Sequence, residues 1–381
     1  MGKTGVLKLG MEGVKMRKSF IWKSRMVLAV LAALITSSAV APARADDVSA
    51  GDYLDSLNQA IAVTQDSIEN STRFSFLQEY LAVDWDSRAR KGSTRLVVTP
   101  TVSEYFQSDF QSVDNQASWQ TDFPLGMNHV YVTSNKVYSV ITKDQSWGAG
   151  YSDFSIQELK KASPFTANWV ISDVSGPNQN RNAMDPIANS ASYIEGLGAG
   201  PSYLEGSPNP PVTTFTKDNG DIEYTLKIDL RLTYVYTVSG TTGLVKSFLL
   251  ESVVEGTNYT STYSIAIGNE VAEPVFDPGS LNSIEQTAIV DIARGLTAQS
   301  MLSEPANLLI KITTKAASKL RKKVTVALLR DTAKKLFIQS KLSSISGGIK
   351  LTGSYQGKAG YMCVYVKNAK LSFKGCNANT N

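Results

Sequence analysis

Residues 222–232 alternate apolar and polar side chains without a break, which is the pattern of a β-strand that buries one face. A strand with one polar face is typical of antiparallel sheets, because parallel sheets are usually covered on both faces. We therefore expect an antiparallel sheet that packs one face on a core. The apolar members of the pattern are Ile222, Tyr224, Leu226, Ile228, Leu230 and Leu232.

Strand patterns recur on both sides of this segment. Turn sequences at 218–221 and 239–243 flank it, so it forms a meander with the strands that follow. Upstream, a hairpin is expected across Ser134 and Asn135. The further predicted strands are 72–83, 93–99, 128–132, 136–141, 244–254 and 258–267.

Helical patterns complete this region and make the fold class α+β. An amphipathic helix is expected over 52–69, with Asp52 as its N-cap. Between the two strand regions, residues 175–211 are rich in Gly, Pro and Asn, and Asp185-Pro186 predicts the start of a short helix there. An insert of this length is either a lid beside the sheet or a solvated loop without a role.

The N-terminal residues 1–45 have the pattern of a signal peptide. A basic segment precedes an apolar run at 26–35, and Ala43-Arg44-Ala45 supplies the small residues of a cleavage site. The run is about half the ~20 residues of a membrane-spanning helix, so a cleaved signal peptide is favoured over the alternative of an uncleaved anchor. There is no cysteine near the cleavage site for lipid attachment. We expect a protein that is secreted or exported to the cell envelope.

Charge divides the remaining chain into two parts. Residues 46–305 hold 15 Lys and Arg against 32 Asp and Glu, whereas 306–381 hold 15 Lys and Arg against Asp331 alone. Such asymmetry is typical of modules with different partners, or of two parts that attract each other. The net charge of residues 46–381 is −3, so a general affinity for nucleic acid is not indicated.

The basic part predicts a second domain. Pro274, Pro278 and Gly279 place the boundary near 270–282, so the two domains span 46–278 and 279–381. In the second domain, helices are expected at 282–302 and 306–341, divided by Pro305, and short strands at 348–352, 360–366 and 370–373.

The second of these helices would be long, amphipathic and basic. Its lysines would contact an anionic membrane surface or wall polymer, or would dock on the acidic domain of the same chain. The surface lysines are Lys311, Lys315, Lys319, Lys322, Lys323, Lys334 and Lys335.

The only cysteines, Cys363 and Cys376, lie near the C-terminus. In an oxidising compartment two such thiols are expected to form a structural disulfide. Twelve residues separate them and they do not form a C-x-x-C motif, so a redox role is not indicated. A helix followed by a small disulfide-closed sheet loosely resembles the head of a type IV pilin, although the predicted helix is internal and lacks a long apolar segment.

The order of elements over 46–278 resembles the LolA-like half-barrel group, which includes bacterial lipoprotein carriers and the LppX-type lipid-carrying proteins of actinobacteria. The resemblance rests on a leading amphipathic helix, the hairpin HVYVTSNKVYSVI with SWGAG after it, an irregular insert, and the meander IEYTLKIDLRLTYVYTVSGTTGLVKSFLLESVV that closes at YSIAIGNEVAEPVFDP. It implies a strongly curved antiparallel sheet that wraps helices and holds acyl chains on an apolar inner face. The residues that would line this cavity are Ile222, Tyr224, Leu226, Ile228, Leu230, Phe248, Leu250, Tyr263 and Ile265.

Two alternatives to a lipid-carrying function stay open. The same apolar residues could form a solid core against the first helix, in a structural or adhesion protein of the envelope. LppX-type relatives are commonly lipid-anchored at the N-terminus. This chain has no cysteine near the cleavage site to carry such an anchor, so a membrane-tethered role is not indicated. A hydrolase that uses carboxylates distant in sequence is the other alternative.

The sequence offers little for catalysis. His129 is the only histidine, which excludes any site that needs two imidazoles. It falls in a predicted strand. There is no G-x-S-x-G, S-x-x-K, P-loop, G-x-G-x-x-G or H-E-x-x-H motif. Asp84 and Asp86 are interpreted as solvated charges, and the turn at 218–221 as an incidental ion site at most. We expect a non-enzymatic protein without cofactor or metal.

Overall fold

The computed structural model describes residues 49–85, 88–112, 124–142, 145–149, 152–176, 179, 181–188, 196–207, 209–336 and 341–380. The predicted signal peptide and its cleavage site lie outside the described residues. From Ala50 onward the chain forms one compact unit. Within the described ranges, no helix is both long enough and apolar enough to cross a bilayer.

A sheet of twelve strands organises this unit. In chain order the first fourteen strands are β1 (Phe74–Val83), β2 (Ala89–Val98), β3 (Val102–Ser112), β4 (Pro124–Thr133), β5 (Lys136–Val140), β6 (Ser146–Ala149), β7 (Ser152–Ser155), β8 (Trp169–Asp173), β9 (Val212–Thr216), β10 (Ile222–Lys227), β11 (Leu232–Val238), β12 (Val245–Val254), β13 (Thr257–Ile267) and β14 (Ser283–Glu285). The large sheet has the order β14-β8-β5-β4-β3-β2-β1-β13-β12-β11-β10-β9, and β6 pairs with β7 separately. Its pairings are antiparallel except that of β14 with β8.

Seven helices are described beside these strands: α1 (Ala50–Glu69), α2 (Ile156–Ala162), α3 (Arg181–Ala188), α4 (Ala199–Ser202), α5 (Gln286–Ser300), α6 (Ser303–Lys319) and α7 (Val326–Leu336). One apolar cluster joins α1 and α3 to side chains from ten strands of the large sheet. Leu57 of α1 and Leu226 of β10 are both fully buried in it. The sheet therefore wraps helices on one face, here called the inner face, which confirms the predicted α+β class.

The predicted strand 222–232 is wrong in its second half. The chain leaves β10 at Lys227 and returns in β11 at Leu232, with Leu230 fully exposed at the tip. Hydrogen bonds fix this turn: Ile228 N donates to Leu232 O at 3.0 Å, and Arg231 N donates to Asp229 Oδ1 at 2.6 Å. The alternation keeps its phase through the turn, so the apolar pattern gives no sign that the chain reverses.

Some of the other predictions for this region are confirmed and others are wrong. The hairpin across Ser134 and Asn135 is confirmed, and so are the strands at 244–254 and 258–267 within one residue. The first helix begins at Ala50, so Asp52 lies in its first turn and is not the N-cap. The insert helix begins at Arg181 and not at Asp185. Missed strands are β3, β8, β9 and β11, together with the hairpin of β6 and β7.

Residues 268–282, here called the strap, leave β13 in the middle of the sheet and lead to β14 at its edge. They therefore cross β1 to β5 on the face opposite the helices, the outer face. Arg73 holds the start of the strap through a hydrogen bond to Val271 O and an ion pair with Glu273 at 2.9 Å. Further along, the ring of Phe276 packs on Tyr131 with 4.6 Å between centroids.

The C-terminal residues form helices α5 to α7 and a second sheet. Its strands are β15 (Lys341–Ile345), β16 (Gly348–Tyr355), β17 (Lys358–Lys367) and β18 (Lys370–Cys376), paired in that order. The predicted disulfide between Cys363 and Cys376 is confirmed, and it closes the β17–β18 hairpin. Leu309 of α6, Leu329 of α7 and Leu351 of β16 are fully buried in the core of this module.

The single long helix predicted at 306–341 is wrong. Helix α6 ends at Lys319, α7 starts at Val326, and Lys341 begins a strand. The break is a Schellman motif in which Arg321 has a φ of 50°, Arg321 N donates to Ser318 O and Lys322 N donates to Ala317 O. An arginine in this conformation, which usually takes glycine, carries no clear sequence signal for a helix end. The prediction that Pro305 separates the helices is also wrong, because the break falls at Met301 and Leu302 and Pro305 lies in the first turn of α6, which starts at Ser303.

Candidate functional site

An aromatic row crosses four neighbouring strands on the inner face. Tyr224, Tyr236, Phe248 and Tyr263 stand directly opposite one another in the registers of β10 to β13. The rings of Tyr236 and Phe248 lie 5.5 Å apart between centroids, and those of Phe248 and Tyr263 lie 3.9 Å apart and nearly parallel. Directly opposed aromatic pairs stabilise a sheet. Tyr224, Tyr236 and Phe248 are buried, and Tyr263 is partly exposed.

Burial controls the chemistry of the tyrosines in this row. Loss of hydration raises the pKa of Tyr224, of Tyr236 and of Tyr263 above the usual value. The Tyr236 hydroxyl is fully buried and donates a hydrogen bond to Leu197 O at 2.9 Å. The row is therefore neutral near pH 7, so it suits an uncharged apolar partner.

The insert covers the aromatic row at Tyr236 of β11. Leu197 and Leu204 of the insert are buried in the inner-face cluster. A Cβ added at Gly200 would meet the Tyr236 hydroxyl at 2.7 Å and the Tyr234 ring at 2.8 Å. The backbone of the insert thus lies directly on these rings, as the lid interpretation requires. Residues 189–195 of the insert lie outside the described part of the chain.

A polar row continues the aromatic row across the next four strands. Gln78, Thr94, Gln107 and Asn128 follow Tyr263 in register through β1 to β4, and all four are half-buried. Gln78 Nε2 donates to the Tyr263 hydroxyl at 3.1 Å. The inner face therefore offers an aromatic surface and, beside it, uncharged hydrogen-bonding groups.

The predicted lining residues fall into three groups. Tyr224, Leu226, Phe248 and Ile265 are buried in the inner-face cluster, and Ile222, Ile228, Leu250 and Tyr263 pack against it while partly exposed. Leu230 does not join them, because it lies at the exposed tip of the β10–β11 turn. Sequence reasoning missed Tyr236, although the alternation of Leu232, Tyr234 and Tyr236 could have revealed it.

A second cluster lies on the outer face, around a buried carboxylate. Glu104 is 2% exposed, and its Oε1 lies 2.7 Å from Arg95 Nη2 and 2.9 Å from His129 Nε2. Burial works to raise the pKa of Glu104, but the hydrogen bonds from His129 and Arg95 outweigh it, so the pKa lies below the usual value. Burial also raises the pKa of Tyr131 to about 12, with the Glu104 charge adding to the effect.

The only histidine of the chain is thus engaged with a carboxylate beneath the strap. Phe106 and Trp169 surround its ring at 5.1 and 5.2 Å between centroids. Beside the cluster, a groove of about 600 Å³ runs between the strap and the sheet, lined among others by Leu77, Arg95 and Val275. The contacts stabilise an ionised Glu104 and join β2, β3 and β4.

The other sites considered from the sequence are occupied or incomplete. Asp221 pairs with Lys246 at 3.1 Å, so one of the two carboxylates in the turn at 218–221 is neutralised. Asp84 accepts a hydrogen bond from Thr257, and Asp86 lies outside the described residues. No group of three or more His, Cys, Asp or Glu side chains converges for a metal ion among the residues that can be described.

The lysines of α6, of α7 and of the turn between them face solvent. Lys311, Lys315, Lys319, Lys322, Lys323, Lys334 and Lys335 are all exposed. Across the described ranges, none of the ion pairs within 4.0 Å involves a base between 306 and 336. Docking of these lysines on the acidic part of the same chain therefore has no contact to support it.

Comparisons with known proteins add little to what the geometry of the site shows about function. The chain is similar to an uncharacterized conserved protein from Thermus thermophilus, at 8% identity and a TM-score of 0.21, over 60% of this chain and 98% of that one. It is also similar to a LolA superfamily protein from Nitrosomonas europaea, at 9% identity and a TM-score of 0.19, over 61% of this chain and all of that one. No family model and no curated protein matches. At such TM-scores the two likenesses carry no argument, so the function is argued from the site itself.

Proposed function

We propose that this chain is an exported, non-enzymatic carrier whose inner sheet face binds the acyl chain of a lipid. The aromatic row is the observation that carries this proposal, because it places neutral apolar side chains across four strands and leaves Tyr263 partly exposed to contact a ligand. Partly exposed apolar side chains such as Leu250 and Ile228 adjoin the row and pack on the core, so a chain laid there would cover them. Each CH₂ group removed from water contributes about 0.8 kcal/mol, so one long chain gives roughly ten kcal/mol before ordering costs.

The polar row gives this ligand an orientation. The amides of Gln78, Gln107 and Asn128 can accept and donate hydrogen bonds without adding charge. They lie beside the aromatic row in the same register. An amphiphile would place its chain on Tyr263, the partly exposed ring of the row, and its polar head on the amides, while the insert covers Tyr236 of β11.

The second part of the proposal concerns the basic module. Its exposed lysines on α6 and α7 would contact an anionic surface of the cell envelope, either lipid head groups or a wall polymer. Each base close to such a surface is worth about 1 kcal/mol at modest salt. The carrier would then be held where its ligand is loaded or released.

The alternative is a structural envelope protein with a solid inner-face core. Full burial of Leu57, Leu226 and Tyr236 favours this interpretation, because these side chains already pack against one another and leave no room between them. The two interpretations differ in whether the partly exposed side chains around that core hold a ligand.

The deciding experiment is mass spectrometry of organic extracts from natively purified protein, with two variants of one strand. Leu250→Glu places a charge on the inner face, and Leu249→Glu places it one residue away on the outer face of β12. We expect stoichiometric lipid with the wild type and Leu249→Glu, and loss of lipid with folded Leu250→Glu. Absence of lipid from the wild type would favour the solid-core protein.

A further inference from the structure

We infer that the anionic surface contacted by the basic module is a lipid membrane, into which apolar side chains of α6 and its flanking residues insert. This inference deepens the proposed contact with an anionic surface and rests on it. Met301, Leu308 and Leu320 are 60%, 48% and 55% exposed, although large apolar side chains are usually buried. All three lie within or next to the basic helix α6.

Helix geometry places two of these side chains among the lysines. At 100° per residue, Met301 and Leu308 project within about 80° of Lys311, Lys315 and Lys319, if the helical turn is continued back to Met301. The opposite side of α6 is buried against the rest of the C-terminal module. Its buried residues are Ala306, Leu309, Thr313 and Ala317. One exposed stripe therefore combines three positive charges and one negative charge, Glu304, with two apolar side chains over a length of roughly 27 Å.

The end of the stripe is held in a defined conformation. The Schellman motif at Ala317 to Lys322 fixes the turn after α6, and its hydrogen bonds measure 3.0 Å. Leu320 and the three bases that follow it, Arg321, Lys322 and Lys323, are exposed there. The apolar side chain and the charges are thus presented together, so little ordering is needed on contact.

This combination selects lipid over a wall polymer. A soluble polyanion attracts the bases but offers no apolar phase, so it gains nothing from Leu308 or Leu320. At a bilayer, lysines pair with anionic head groups while leucines enter the acyl boundary. Insertion of one leucine is expected to strengthen binding by about tenfold or more.

The test uses the full chain from residue 46 with vesicles of phosphatidylglycerol or phosphatidylcholine of equal size. We expect binding to the anionic vesicles alone, weakening as NaCl rises. Leu308→Ser/Leu320→Ser should reduce the affinity at least tenfold, and the matched control Val253→Ser/Val254→Ser, exposed on β12, should not. The emission of Leu308→Trp should shift to the blue on vesicles and stay unchanged with polyphosphate.

Different failures identify different errors. Equal binding of wild type and Leu308→Ser/Leu320→Ser to vesicles, with no blue shift, would overturn insertion while the anionic contact stands. If wild type binds neither anionic vesicles nor polyphosphate at low salt, the proposed anionic contact itself is wrong. Charge specificity has its own control, because Lys311→Gln/Lys315→Gln should weaken binding more than Lys367→Gln/Lys370→Gln in the β17–β18 turn.

Discussion

Glu104 is a single residue whose contacts connect neighbouring strands on the outer face of the sheet. It is a nearly fully buried carboxylate whose hydrogen bonds come from Arg95 and His129 on neighbouring strands. Nothing in the sequence marks it, because a Glu at an alternating strand position is expected to face solvent. Only the crossing of the strap over the outer face makes that position buried.

Replacing Glu104 by Gln should destabilise the protein by about 2 to 3 kcal/mol at pH 7, because two charge-assisted hydrogen bonds lose their anion. The folded-state pKa of Glu104 is lowered. Its contribution is therefore complete above its usual pKa of 4.5 and is lost as the pH falls through the lowered value. Urea unfolding at pH 7 and at pH 3 measures the difference, which should shrink at pH 3. Glu79→Gln, exposed on β1, serves as the control, and an equal loss at both pH values would contradict this account.

At the level of elements, sequence patterns predicted strands well where neighbouring turns contain Gly or Asn. They failed where the chain turns without such a signal. The turn at Asp229 to Arg231 keeps the apolar alternation in phase, and the break after Lys319 uses an arginine where glycine is common. Of the inner-face site, most lining residues could be predicted from alternation, whereas the aromatic row needed the register between strands.

Helix α5 and β17 approach so closely that a side chain cannot fit between them. A Cβ at Gly360 would collide with the backbone of Ala298 and Gln299. Gly360→Ala should therefore destabilise the protein by about 3 kcal/mol. At Gly295, on the helix side of the same interface, an added Cβ would lie in van der Waals contact with Ala359 O at 3.4 Å, so Gly295→Ala needs little adjustment and gains helix propensity. Urea denaturation compares the two, and a near-neutral Gly360→Ala would show that the helix stands further from the sheet.

The whole molecule raises the question of whether its two predicted domains unfold separately. A composition shift and three turn-forming residues predict a boundary at 270–282, and this stays a prediction. In the structure this segment is the strap, and its residues contact the large sheet along their length. Strand β14 then pairs with β8, and α5 packs with residues of β8 and α2 in one apolar cluster. Such contacts between distant segments leave no local trace in a sequence.

We expect these contacts to make unfolding a single cooperative transition. The tryptophans after residue 45 all precede residue 279, so their fluorescence reports on the large-sheet part, whereas far-UV circular dichroism includes α5 to α7. The two signals should change at the same urea concentration. Phe276→Ala removes the ring that packs on Tyr131 and Tyr138. It should lower the free energy of unfolding by about 2 kcal/mol, so the urea midpoints of both signals should shift together. Its neighbour Val275 is 96% exposed, so Val275→Ala should change neither. A fluorescence transition that shifts alone, while the helical signal holds its midpoint, would instead establish two independent domains joined at the strap.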